Sequence, residues 1–230
     1  MPPAGVALAV IDATEGPGGY GVPSLPAEDI AIPACFTPGT LIRTPDGERQ
    51  VDDLAVGDRV LTADNGAQEI RWAGRVEIGP FRMAATPELH PVRIHRDGFG
   101  PGRPARDLLV SPQHRVLVEG WRAELLFGEP QVLVAALHLE DGRTVTRARD
   151  VAETSYLHLQ FGRHEIVQSE GLATESFNPG PMVMGTIPDA ARAELKALFP
   201  EVDPDRATPL SSARPMITGC GARALSLLAA

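Results

Sequence analysis

From residue 40 to residue 178 apolar and polar positions alternate in short runs, and turn-forming residues interrupt them repeatedly. Thr40-Leu41-Ile42-Arg43-Thr44 opens the series, and Pro45-Asp46-Gly47 folds it back as a hairpin. Arg59-Val60-Leu61-Thr62 is the next strand, with a hairpin turn at Asp64-Asn65-Gly66. Gln68 to Ile78 alternates over much of its length, the period of a half-buried strand. Leu108-Leu109-Val110 and Arg115-Val116-Leu117-Val118 flank a break at Pro112, which has no N–H to give a sheet ladder. Val132 to Leu139 reads as a strand before the turn at Asp141-Gly142. Ser155 to Gln160 and His164 to Val167 close the region around Gly162. Many short strands with frequent turns predict a compact all-β domain.

The flanks differ in character. Residues 1–34 read as a leader, with an apolar run at Gly5–Ile11 and a Gly/Pro-rich linker at Glu15–Gly21. Residues 98–104 form a Gly/Pro-rich loop. In the tail, Ile187–Pro200 reads as a helix with Pro188 in its first turn and Pro200 as its stop, and a second short helix is expected near 222–228. The expected organisation is a leader over 1–34, an all-β domain over 35–178 and a helical C-terminal extension over 179–230.

Composition narrows the partners. Hydrophobic residues make up 43% of the 230 residues, enough for a core. The net charge of −9 and the lack of a basic cluster argue against nucleic acid. No apolar run is long enough to span a bilayer, and the first residues lack the positive segment of a signal peptide. A cytoplasmic monomer is the expectation, with secretion by a non-classical route as the alternative. The two cysteines, Cys35 and Cys220, do not make a disulfide framework. His90 and His95 lack a metal-ligand spacing with any cysteine pair, and no Gly-rich phosphate loop stands out, so neither a metal nor another cofactor is expected.

Candidate chemistry centres on Cys35, at the boundary between leader and first strand. Pro38-Gly39 turns the chain just after it, and Pro33 biases Ile32 towards an extended approach. A thiol held there can attack the carbonyl of Ala34 and turn the peptide bond into a thioester; it can equally be a small buried hydrophobe. Ser111 and His114 lie three residues apart in the Pro112 break. Nitrogen-to-sulfur acyl transfer needs a proton delivered to the departing nitrogen, and histidine, with a pKa near ~6.5, suits that task. The Ser111 hydroxyl can hydrogen-bond the scissile peptide. His158 and His164 flank the Gly162 turn, and a ribbon returning to the centre brings one or the other towards Cys35. The plain alternatives are a packed cysteine and solvated histidines. His138 reads as a strand-face residue, Trp72 and Trp121 as core or partly buried aromatics, Cys220 as passive and Asp107 as an orienting group at most.

In order along the chain these stretches resemble the Hint (hedgehog/intein) superfamily, most closely its bacterial members. The Cys-Phe-x-x-Gly-Thr opening is matched by Cys35, Phe36, Gly39 and Thr40. The following Gly-Glu-x-x-Val-x-x-Leu-x-x-Gly-Asp-x-Val run is matched by Gly47, Glu48, Val51, Leu54, Gly57, Asp58 and Val60. A Thr/Ser-x-x-His motif is matched by Ser111 and His114, and a closing ribbon by His164, Gly171 and Leu172. The resemblance covers roughly residues 35–178. It implies a disc-like all-β fold that brings Cys35 to His114, and self-processing at Ala34–Cys35 in which Cys35 attacks, His114 protonates the leaving nitrogen and Ser111 assists. The substrate is then the chain's own N-terminal segment, and water, a small thiol or an amine accepts the acyl group. Glu175-Ser176 stands where an intein carries His-Asn, and Asn178 is followed by Pro179, so N-terminal cleavage without full splicing is expected. Two rivals remain: a non-catalytic β scaffold or secretion accessory, and a Cys–His hydrolase acting in trans.

Overall fold

The computed structural model describes residues 34–178, 211–219 and 221–222. The leader before Ala34, the helix expected over 187–200, most of that near 222–228, and Cys220 lie outside the described residues.

The first hairpin forms as its turn chemistry requires. Strands β1 (Leu41–Thr44) and β2 (Gly47–Gln50) pair antiparallel, and the Thr44 hydroxyl donates to the Gly47 carbonyl across the turn. β3 (Arg59–Thr62) and β4 (Gly66–Glu69) repeat the device, with Thr62 donating to Gly66. The expected single strand from Gln68 to Ile78 is instead two. Ile70 N–H donates to Asp58 and Arg71 N–H donates to Gln160, so the chain changes partners there. β5 (Trp72–Ile78) then pairs along its whole length with β11 (Thr154–Gln160).

β6 (Val92–Ile94), β7 (Leu108–Val110) and β10 (Val145–Arg147) make a three-stranded sheet in the order β10-β6-β7. The large sheet runs β14-β9-β8-β13-β12-β1-β2, with β3 attached to β12 and β4 to β3. Its remaining members are β8 (Arg115–Glu119), β9 (Gln131–Ala135), β12 (Ile166–Ser169), β13 (Leu172–Glu175) and β14 (Met216–Ile217). β12 and β13 are joined by Glu170-Gly171, both at positive φ (51° and 77°), the two-residue hairpin turn whose twist matches the strands. Glu170 holds this conformation while buried, its carboxylate accepting from Leu41 N–H and from Arg106.

The all-β expectation holds, with local corrections. The strand expected over Val132–Leu139 ends at Ala135 and gives way to a 3-10 turn at Ala136–His138, which removes His138 from a strand face. The N–H groups of Ala136 and Leu137 donate to His114 and Pro112 instead of continuing the ladder. Two short helices are additions, α1 (Pro80–Ala85) and α2 (Trp121–Phe127). Trp121, expected in or near the core, is 62% exposed because α2 buries mainly Ala123. Trp72 is buried as expected. β14 adds a parallel edge strand from the tail to β9, where only helices were expected.

Candidate active site

The stretch after Ala34 is held between two sheets. Phe36 bridges both β7, at Val110, and β11, at Leu157, exchanging hydrogen bonds of 2.9 Å with Leu157 in both directions. That clamp fixes Cys35 in the middle of the molecule, where it is 0% exposed. Its neighbours Ile78, Met83, Leu89 and Tyr156 are apolar or nearly so.

The Pro112 break supplies polar partners. The Cys35 N–H donates to Ser111 Oγ at 3.1 Å, and the Ser111 N–H donates back to the Cys35 carbonyl at 3.0 Å. This N–H belongs to the Ala34–Cys35 peptide, so the hydroxyl touches the nitrogen that cleavage would release. His114 N–H donates to the Ser111 carbonyl, and Ala136 and Leu137 brace the turn from behind. The His114 ring packs edge-on against Phe36 with centroids 4.7 Å apart. Neither of its nitrogens has a hydrogen-bond partner among the described residues, although the Cys35 backbone lies near enough to favour its charged form.

On the opposite side β11 presents His158. Its Nδ1 lies 3.1 Å from the Ala34 carbonyl oxygen, and Cys35 Sγ is 3.4 Å from Nδ1 and 3.6 Å from Nε2. Gly74 faces His158 across the β5–β11 pair, and a Cβ at Gly74 would sit 2.1 Å from the Trp72 ring. Only glycine leaves Trp72 free to fold across that position, where its ring stands 6.0 Å from His158. Phe177 closes the other side at 4.9 Å.

His164 is placed differently. Ala213 N–H donates to its Nδ1 at 3.1 Å, and a nitrogen that accepts carries no proton, so Nε2 is the protonated one. Nε2 faces Glu175 Oε2 at 3.3 Å. Both His164 nitrogens are thus turned to groups other than Cys35. Glu175, fully buried, also accepts from the backbone N–H of Arg115 at 2.9 Å and from its guanidinium at 3.2 Å. The Glu175-Ser176 pair is therefore a buried structural node beneath the His114 turn.

Burial dominates the electrostatics. It pushes the Cys35 thiol well above its ordinary range; the Ser111 hydroxyl partly offsets this and the charge of Glu175 adds to it. Burial lowers His114 to about 4, against the pull of Glu175 and with help from Arg115 and His158. His158 is likewise lowered to about 4 by burial, against its bond to Ala34. Burial alone would raise the Glu175 carboxyl, but the His164 bond and the charge of Arg115 bring it below its ordinary value. At neutral pH the centre thus holds a neutral thiol and two neutral imidazoles. Among the described residues no cluster of His, Cys, Asp and Glu is arranged to hold a metal ion.

The site therefore joins Ala34, Cys35, Ser111 and His158 by direct contact, with His114 behind Phe36. The sequence offered His158 only as one of two histidines near a turn. What separates them is position: His158 lies inside a strand between Leu157 and Leu159, and His164 lies in the turn after it.

A family model described as Hint domain matches residues 34–181. No curated protein matches. Among solved structures the chain is similar to the gp41-1 intein, at 11% identity and a TM-score of 0.38 over 61% of this chain and 97% of that one. It is similar to the MchDnaB-1 intein, at 14% identity and 0.40 over 61% and 98%. It is also similar to a bacterial intein-like domain from Clostridium thermocellum, at 11% identity and 0.40 over 64% and 100%. The family match spans every strand but β14 and every residue of the site just described, and the chain belongs to the Hint domain family.

Proposed function

We propose that this domain cleaves its own Ala34–Cys35 bond by nitrogen-to-sulfur acyl shift and does not splice. The observation that carries the reading is the double hold on one peptide: Ser111 Oγ on its N–H and His158 Nδ1 on the carbonyl of Ala34. Cys35 Sγ attacks that carbonyl, the C–S bond forms and the C–N bond breaks. The proton lost from sulfur equals the proton gained by nitrogen, so the step needs no co-reactant. In this reading Ser111 steadies the nitrogen and His114 hands it the proton. His164 acts at one remove, by holding Glu175 and through it the Arg115 backbone. Water, a small thiol or an amine then takes the acyl group. Proximity of a held thiol is worth about 7–11 kcal/mol of barrier in well-oriented cases. A placed acid adds about 10²–10⁴-fold.

One observation favours the scaffold alternative: Cys35 is completely buried. Burial weighs less against the first step than against the second. The acyl shift is internal and needs no solvent, whereas resolution of the thioester needs an entering nucleophile. The test is the intact mass of full-length protein before and after dithiothreitol, beside Cys35→Ala. Loss of residues 1–34 in the wild type alone supports self-cleavage. An unchanged mass in both supports the scaffold.

A further inference from the structure

The geometry points to His158 as the group that takes the Cys35 thiol proton, at Nε2, while donating from Nδ1 to the Ala34 carbonyl oxygen. This rests on the self-cleavage reading above and adds to it a catalytic residue that touches both reacting atoms.

The tautomer follows from the partners. A carbonyl oxygen only accepts, so the 3.1 Å contact to Ala34 places the proton on Nδ1. A neutral imidazole carries one N–H, which leaves a lone pair on Nε2. Cys35 Sγ lies beside both ring nitrogens, 3.4 Å from Nδ1 and 3.6 Å from Nε2, and with Nδ1 committed to the Ala34 oxygen Nε2 is the nitrogen left to accept the thiol proton. The ring is held in this pose from both sides, by Trp72 across Gly74 and by Phe177. His114 is turned towards the Cys35 backbone, where it favours the leaving nitrogen over the thiol.

The step then balances on one imidazole. The S–H bond breaks and its proton passes to Nε2 as the C–S bond forms. The carbonyl π pair moves onto the Ala34 oxygen, which the Nδ1–H of the new imidazolium faces directly. On collapse the C–N pair leaves with the nitrogen, the oxygen regains its double bond, and the imidazolium proton returns to the Cys35 nitrogen, with His114 on that path. Thiol and amide become thioester and amine. Loss of a base of this kind typically costs about 10²–10⁴-fold in rate. Loss of an oxyanion donor costs about 10²–10³-fold.

Two variants divide the roles. His158→Asn keeps an N–H near the Nδ1 position but no base, and His158→Ala keeps neither. Release of residues 1–34 is followed by intact mass in dithiothreitol for the full-length chain, with near-ultraviolet circular dichroism as the check on folding. The ring nitrogens are read separately by nuclear magnetic resonance of ¹⁵N-histidine-labelled protein, using Cys35→Ala to keep the chain intact. The expected results are an Nδ1–H tautomer for His158, a fall of about 100-fold or more for His158→Asn, and a larger fall for His158→Ala. An Nε2–H tautomer overturns the assignment. Folded variants that cleave within threefold of wild type overturn it too, while leaving self-cleavage standing. A wild-type chain that never cleaves, beside an Nδ1–H tautomer, overturns the self-cleavage reading and the catalytic role with it.

Discussion

Cys35 rests with its proton on. Burial pushes the thiol well up, and the two nearest histidines are neutral because burial holds each at about 4. On the proposed acyl shift, the proton must therefore leave sulfur as the C–S bond forms. The same two histidines tie stability to pH. Unfolded, each titrates near ~6.5; folded, each stays neutral down to about 4. Between those values the unfolded chain binds more protons, so stability is full above the upper value and falls as pH drops through the window. Each histidine weighs on the order of 3 kcal/mol over that range. Urea midpoints measured at pH 7 and pH 5 should drop for the wild type, and His158→Gln should shrink the drop; equal drops in the two proteins would contradict this. Ser111→Ala, which takes the hydroxyl from the Cys35 N–H, should slow the proposed thiol-induced cleavage about tenfold or more, and Ser111→Thr should retain most of it. Ser111 and His114 were legible in the sequence because Pro112 must break the ladder there. His158 was not, because β11 is buried at nearly every position and shows no alternation to mark an inward polar residue.

Most strands were legible where turn chemistry is local, as in the Thr44–Gly47 and Thr62–Gly66 hairpins. The misreadings fall where long-range partners decide, at Ile70-Arg71 between sheets and at Ala136-Leu137 beneath the His114 turn. α1 was illegible because six residues are too few to show a helical period. That small element nevertheless covers the site. Met83 of α1 and Leu89 just beyond it pack with Cys35 and Tyr156, and the Tyr156 hydroxyl ties the segment down by donating to the Leu89 carbonyl at 2.6 Å. Thioester lifetime should therefore depend on this cover. Met83→Ala should cost about 2–5 kcal/mol of stability and speed the reaction of Cys35 with an aromatic disulfide reagent about tenfold or more. Leu117→Ala, in a separate apolar cluster, should cost a similar amount without that gain. Equal thiol reactivity in the two variants would remove α1 as the cover.

At the scale of the whole molecule, the fold brings together residues that are far apart in the chain. Ala34 and Cys35 meet Ser111 from the β7–β8 break and His158 from β11, and Phe36 is the peg that pins all three. The all-β class and the Hint resemblance were legible because motif order survives along the chain. The tail's return was not: β14 pairs parallel with β9, Arg214 bonds Asp64 and Ala213 bonds His164, none of which follows from local pattern. On the proposed reading all this architecture serves one peptide bond. The most direct measurement is the identity of the products after hydroxylamine, which intercepts a thioester. Self-cleavage through a thioester yields a fragment of residues 1–34 ending in an Ala34 hydroxamate, a chain beginning at Cys35, and neither product from Cys35→Ala. A cut at another bond, or the same cut in Cys35→Ala, would contradict it.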